Sequence, residues 1–427
     1  MKWKSYPEYR KSNIELFDDV PHHWETRRLK NITVAKITDG PHATPEFLSE
    51  GVPFLSVDSI QNGELVFEKC RFVSENDHMQ YKRKTFPTHG DILMGKAAST
   101  GKIARVKVNF EFSIWSPLAL IKIDPKKADS HFIEFVLKST QIQTQIEVRC
   151  NVNTQKNIAM DDIPLLIFET PPLDEQRAIA AFLDRETERI DALIAKKERQ
   201  IELLQEKRAA LISHTVTKGL NTNARMKDSG IEWLGKIPEG WQVRALKYVF
   251  KNLDHRRIPL SGEERSYMVK MYPYYGASGI IDYVDSFIFD EPLLLVAEDG
   301  ANLLSRSTPL AFIANGKYWV NNHAHILKPI NGNLQFWEGV LQTFDYTPLI
   351  TGAAQPKLTA DNLANIALPC PPPAKQDMIA AFLDQETSQI DLLIVKIEGS
   401  INKLCEYRVT LISAAVTGKI DVRKEVA

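Results

Sequence analysis

Along residues 171–220, and again along 371–420, apolar side chains recur every seven positions in a charged background. Leu183, Ile190, Leu204 and Leu211 form the row in the first segment; Leu383, Ile390, Ile397, Leu404 and Leu411 form it in the second. Ile194 and Ile201, matched by Ile394 and Ile401, add a companion row on the same face. Each segment therefore predicts a long helix with a double seam suited to coiled-coil pairing. Lys197 interrupts the first row, where it either fixes register or lays its stem on apolar surface and snorkels to water. The remaining faces, with Arg185, Glu186, Glu188, Arg189, Glu202 and Lys207 among them, are nearly charge-balanced and read as solvated. About 40 helical residues rise about 60 Å at ~1.5 Å each, enough for a spacer.

The two segments align without a gap at an offset of 200, with 26 of 50 positions identical. A second repeat precedes each half: SNIELFDDVPHHWETRRLK at 12–30 resembles SGIEWLGKIPEGWQVRALK at 229–247, pairing Pro21 with Pro238 and Trp24 with Trp241. The chain is thus a duplicated unit. The inserts at 31–150 and 248–350 share little sequence, so similar frames carry dissimilar contents. Short β-rich runs fill both, among them GDILMG, KIARVKV and LALIKI in the first and PLLLVA, LAFIA and HAHILKPI in the second. Helices are expected over Ser130 to Gln145 and Leu334 to Thr343. Each insert reads as a small, mainly β, α+β domain, closed by IPLLIFE or IALPCP before a Pro-Pro stop.

Composition narrows the function. Hydrophobic residues at 44% and charged residues at 25% fit an ordinary globular protein, and no tract is apolar enough to span a bilayer. The start of the chain lacks a signal-peptide pattern, so a cytoplasmic location is expected. Cys70, Cys150, Cys370 and Cys405 are scattered, which disfavours a disulfide framework or a zinc knuckle. A net charge of −1 argues against coating nucleic acid through bulk electrostatics and leaves local patches to do so.

Candidate chemistry is sparse. Gly90, Gly95 and Lys96 spell G-x-x-x-x-G-K, but Ala97 replaces the hydroxyl residue that would hold magnesium, and polar sequence stands where a buried strand should lead in. His323 and His325 share one face if extended; a metal is conceivable, but no third ligand at convincing spacing accompanies them, and hydrogen bonding with Asn321 and Asn322 is the simpler use. No carboxylate cluster of a nuclease and no cofactor loop of a methyltransferase is present. Cations concentrate in the inserts: Lys82, Arg83 and Lys84; Lys102, Arg105 and Lys107; His255, Arg256 and Arg257. These suit phosphates, which position a protein without reading sequence. Base readout falls to loop residues, with Thr38, Asp39, His42 and Thr44 as candidates in the first insert and Ser278, Asn302, Asn322 and Gln355 in the second, each with an ordinary solvated or capping role as its alternative.

These features, with ITDGPHATPEF at 37–47, GDILMGKAASTGKIARV at 90–106, YYGASGIIDYVDSFIF at 274–289 and VNNHAHILKP at 320–329, resemble the specificity subunits of type I restriction-modification systems over nearly the whole chain. The resemblance implies an α+β fold in which two target recognition domains are separated by two long antiparallel coiled-coil helices in a pseudo-twofold duplication. The expected domains are 1–170 and 221–370 for recognition, with helical regions at 171–220 and 371–427. Polar and aromatic residues of the signature segments complete the candidate DNA set: Lys96, Ser99, Thr100, Gln155, Lys156, Tyr274, Tyr275, Asn321, His323 and Lys357. Leu183, Ile190, Ile194, Ile201 and Leu204, with Leu383, Ile390, Ile394, Ile401 and Leu404, are the expected pairing and partner-docking surface. The implied partners are double-stranded DNA, two methyltransferase subunits holding S-adenosylmethionine, and restriction subunits that translocate and cut. No cofactor and no catalysis are expected in this chain. Two other classes stay open, a self-contained fused nuclease and a coiled-coil adaptor for protein or carbohydrate, separable by magnesium-dependent cleavage and DNA-binding assays.

Overall fold

The computed structural model describes residues 3–151, 156–352 and 355–425. Contacts divide the chain into two compact units, Met1–Lys197 with Gly399–Ala427, and Glu198–Glu398. The two heptad segments are helices Leu173–Lys218 and Pro373–Val416, of 46 and 44 residues, and each contributes one part to each unit.

In the first unit a four-stranded antiparallel sheet runs in the order Ile103–Arg105, Ile92–Gly95, Leu118–Ile121, Thr38–Asp39. Ile92 pairs with Ile121 and Gly95 with Leu118. The second sheet has Val52–Leu55 at its centre, parallel to Ser113–Ile114 and antiparallel to Arg71–Val73. Helix Ser130–Lys138 packs its apolar face into the core, and Asp129 starts it by accepting from the N–H groups of His131 and Phe132 at 3.0 Å. The expected helix to Gln145 is broken. Ser139 is extended (φ −68°, ψ 151°) with its hydroxyl on Val136 O, and a separate helix, Thr140–Arg149, follows. The break is imposed from afar, because Ser413 on the second long helix caps Thr140 N at 3.0 Å.

The second unit repeats this plan with different residues. Its core sheet runs Phe250–Asn252, Ala324–Pro329, Leu293–Ala297, Ala311–Ala314, and its second sheet pairs Tyr272–Gly276 in parallel with Lys317–Val320. Helix Leu334–Thr343 forms over its expected span, capped by Asn333. One repeated residue ties each long helix to its sheet domain. Buried Gln176 accepts from Asp129 N at 2.9 Å and donates to Pro171 O, while Gln376 accepts from Asn333 N at 3.0 Å and donates to Pro371 O.

Within each unit one part of each long helix packs against the other. In the first, Leu183, Ile190, Leu411 and Ile412 share a core with Ile194 and Leu404 at its margin; in the second, Ile212, Val216, Ile379 and Leu383 do so. Asp191 meets Arg408 at 2.9 Å in the first unit and Arg208 meets Asp391 at 3.2 Å in the second, the same pair with the two helices exchanged. Pairing within each unit is therefore antiparallel. Ile201, Ile394, Ile401, Leu204 and Lys197 are only half-buried, as a two-helix seam dictates.

The chain ends close the first unit. Asp421 N donates to Lys4 O at 2.7 Å, Tyr9 Oη donates to Gly418 O at 3.0 Å, and Arg423 stacks on Tyr6. Gly418 ends the helix with φ +72°, and a side chain there would collide with Pro21 Cδ at 2.3 Å. Beneath this joint, buried Glu175 accepts from Tyr6 Oη at 2.7 Å and Trp24 Nε1 at 3.1 Å. That use accounts for the tryptophan of the first lead-in repeat.

Candidate nucleic-acid interface

Strand Ile92–Gly95 is buried along its length, because a central strand covered on both faces takes apolar residues throughout. It ends at Lys96, where the chain leaves the sheet and Lys96 O accepts from Ile158 N at 2.9 Å. This excludes the phosphate-loop reading on geometry, since loop 96–102 leads to strand Ile103–Arg105 and not to a helix. The edge strand sets Asp39 opposite Ala119. Asp39, 5% exposed, accepts from Lys84 Nζ at 2.7 Å and is paired with Lys96 at 3.0 Å and His42 at 3.1 Å. Burial disfavours its charge, but the hydrogen bonds from Lys84 and Lys96 outweigh burial and hold the carboxyl below its ordinary value. Thr100 donates to Lys156 O at 2.9 Å. Six sequence candidates thus converge: Asp39, His42, Lys84, Lys96, Thr100 and Lys156, with His42 and Lys84 largely exposed.

Other candidates lie apart from this cluster. Lys82 is paired with Glu111 at 2.5 Å and covers the Phe86 ring. Arg105 is committed to buried Glu134 and Lys107 to Glu64. Arg83, Lys102 and Thr44 are exposed, Thr38 and Ser99 half-buried. Gln155 lies outside the described residues.

The second unit builds the corresponding place with the charge reversed at one position. Strand Leu293–Ala297 ends at Glu298, whose carbonyl accepts from Leu358 N at 2.7 Å, so Glu298 stands where Lys96 does. Leu253 N donates to Ile326 O, which brings Asp254 alongside His325 as Asp39 lies opposite Ala119. Asp254 accepts from His325 Nδ1 at 2.6 Å and Ile326 N at 2.8 Å. Glu298 is bound by Arg257 and, at 3.1 Å, by Lys357. Burial raises both carboxyls, but hydrogen bonds from His325 to Asp254 and from Arg257 to Glu298 bring each below its ordinary value. His323, 45% exposed, contacts Asp299 at 2.8 Å.

Ligand atoms of Asp254, Glu298 and His325 lie within 4.8 Å of one another, a grouping able in principle to hold a metal. The hydrogen bonds argue otherwise. His325 Nε2 lies 2.9 Å from Leu358 O and Nδ1 2.6 Å from Asp254 Oδ2, so both ring nitrogens are already engaged with protein oxygens. Arg257 and Lys357 already supply the cations.

Two candidates belong to the interior. Tyr274 is 1% exposed with its hydroxyl on Leu260 N, and Asn321 is 4% exposed and caps His323 N. Both are fixed by core packing and present no face to a ligand. Tyr275 is half-buried against Phe312 and Tyr318, and Asn302 holds Thr308 N and Ser307. Ser278, Asn322 and Gln355 are exposed. Asp254, Glu298 and Asp299 escaped the sequence reading. The available signal was the repeat offset carried upstream, which matches Asn157-Ile158 to Lys357-Leu358 and so leads to the strand ends at Lys96 and Glu298.

Residues 21–203 and 238–403 match the family model described as type I restriction modification DNA specificity domain. The chain is 25% identical over 448 residues to the putative type I restriction enzyme MjaX specificity subunit of Methanocaldococcus jannaschii, covering 97% of this chain and 98% of that one. It is 34% identical over 163 residues to a putative type I restriction enzyme specificity subunit of Haemophilus influenzae, 36% of this chain and 40% of that one. Among solved structures, one described for the complex assembly and conformational transition of the type I R-M system matches with TM-score 0.70 at 15% identity, over 94% of this chain and 99% of the other. The HsdS subunit from Thermoanaerobacter tengcongensis matches with TM-score 0.50 at 15% identity, over 94% and 98%. No helix among the described residues is long and apolar enough to cross a membrane.

Proposed function

The chain belongs to the type I restriction-modification DNA specificity family, and from that premise we propose that it reads a bipartite DNA site, one half per sheet domain, and carries out no chemistry itself. One observation carries the reading: the two domains share a sheet order and a strand-end position, yet that position is Lys96 beside Asp39 in one and Glu298 beside Asp254 in the other. A common frame with opposite charge at one equivalent position suits two unlike half-sites, since cationic and anionic side chains select different base edges in the major groove. Thr100, Lys156, His42 and Lys84 on one side, and His323, Lys357, Asn322 and Gln355 on the other, are the residues proposed to face DNA. Methyltransferase subunits holding S-adenosylmethionine, and restriction subunits, supply the reactions and dock on the long helices. Those helices set the distance between half-sites.

Inserting a few residues near Arg199, with a matching insertion near Gly399 on the second long helix, tests this reading. The expected result, read by mapping methylated sites genome-wide, is a changed gap between two unchanged half-sites. Altered half-sites with a fixed gap would refute it.

A further inference from the structure

The duplication exposes a difference outside the strand-end sites. In the first unit, Ser413 of the second long helix caps Thr140 N and pairs with Thr140 Oγ1, both at 3.0 Å, so helix Thr140–Arg149 begins against the long helix. Ser213 is the repeat equivalent of Ser413. In the second unit, however, helix Leu334–Thr343 leads instead through Phe344–Tyr346 into a 3-10 turn at Thr347–Leu349. A notch of about 360 Å³ opens there, lined by Gln205, Arg208 and Ser213 of the long helix and by Arg306, Gln342 and Thr343 opposite.

Two guanidinium groups in one notch are pre-positioned rather than free. Arg208 is held by Asp391, with Nε and Oδ1 3.2 Å apart, and Arg306 donates from Nη2 to Phe344 O. Arg306 also holds a left-handed backbone (φ 49°), a region that residues of its kind seldom occupy, at the end of the short helix Asn302–Ser305. Asp391 offsets Arg208, so the charge left open in the notch is that of Arg306, while Asp345 turns its carboxylate to Thr347 N and Oγ1. Glu338 accepts from Ile313 N, and burial pushes its carboxyl up toward the neutral form. The Thr343 hydroxyl donates to Gly339 O and the Gln342 amide to Ala311 O. The equipment for one oxyanion is therefore the Arg306 guanidinium with the Ser213 hydroxyl and the Gln205 amide of the long helix beside it.

We infer that this notch binds a single backbone phosphate of the DNA held by the second domain, through Arg306 and Arg208. This rests on the DNA reading proposed above. A phosphate is favoured over a partner protein's carboxylate because Arg306 follows directly from the strand-end site: Gly300 N donates to Pro356 O at 3.1 Å, joining this loop to the hairpin that carries Lys357. The contact is sequence-independent and anchors the second domain's register on the duplex.

The test uses the chain in complex with its methyltransferase partners, and a duplex carrying the mapped methylation site, titrated over a series of salt concentrations. Arg306→Ala is expected to weaken binding about tenfold whatever the half-site sequence, and to reduce the slope of log K against log salt by about 0.9, the loss of one phosphate contact. Arg306→Lys should retain the slope, the methylated sequence should stay the same, and Gln205→Glu, a surface change that leaves Arg306 intact, should weaken binding by repelling the phosphate. Affinity and slope unchanged in Arg306→Ala and Gln205→Glu would overturn the proposal. So would an unchanged slope with loss of the co-purifying methyltransferase, which assigns the notch to a protein carboxylate. A wild-type complex that ignores the mapped site would instead refute the DNA reading itself.

Discussion

At the scale of single residues, the two strand-end sites show how one position serves two chemistries. Asp39 and Asp254 are both sunk into the sheet edge, and each persists as a carboxylate because hydrogen bonds and a neighbouring cation, Lys84 and Lys96 for one and Arg257 for the other, offset its burial. Replacing Asp254 with Asn puts an NH2 in place of one carboxylate oxygen, so the single remaining acceptor no longer serves both Ile326 N and His325 Nδ1, the latter on a side chain 1% exposed. We expect a loss of about 3 kcal/mol in stability near neutral pH, the usual scale for removing one member of a buried pair. The sign of the pH effect follows from the direction of the shift. A carboxyl held below its ordinary value of 3.8 stabilises the fold above that pH and loses the contribution as pH falls through the depressed value. Thermal midpoints of wild type and Asp254→Asn should therefore converge on acidification below about pH 4, and a gap that stays constant would contradict this account. Asp39 was legible from the sequence as a polar residue in a loop-like segment. Glu298 was not, because its importance comes from Arg257 and Lys357, which only the fold brings to it. Tyr274 shows the converse: aromatic residues of a signature segment serve the core as readily as a surface.

Among the elements, the long helices were the most legible, because a period of seven sustained over some forty residues has few other meanings. Breaks made by distant contacts were not. A lone Ser139 is a weak stop signal in a sequence, and the cap that restarts the helix at Thr140 comes from distant Ser413. The expected seam rows are buried or half-buried, and other apolar residues of the long helices lie outside them. Leu404 packs at the margin of the first core, whereas Leu203, Leu393 and Val395 are 48%, 48% and 62% exposed. Apolar helix surface left open in this way suits the subunit docking proposed above. Leu203→Glu and Leu393→Glu should reduce co-purification of the methyltransferase severalfold with thermal stability kept, whereas Leu404→Glu should lower stability as well. Assembly unaffected by both surface changes would place docking elsewhere.

For the molecule as a whole, a net charge of −1 leaves no general attraction for nucleic acid, so the proposed DNA contact has to rest on local groups of cations such as Lys84 and Lys96. The repeat announced two units of one plan. It did not announce that the first is completed by residues 399–425, whose Leu411, Ile412, Ala415, Val416 and Val422 lie in the same core as Trp24 and Phe168. Deleting residues 411–427 should expose that core, so that limited proteolysis cuts within 1–197 while a fragment spanning 198–398 resists. Equal resistance of both segments would show the tail to be dispensable.

This closure has a consequence during synthesis. The segment translated first has to wait for its last structural piece until some two hundred further residues have been made, about 10–40 s at ~5–20 residues per second, whereas the second unit has all its parts as soon as Glu398 emerges. The nascent N-terminal half thus spends the longest time incomplete on the ribosome, with the apolar bed for Val416 and Val422 uncovered, and is the part most in need of chaperone cover.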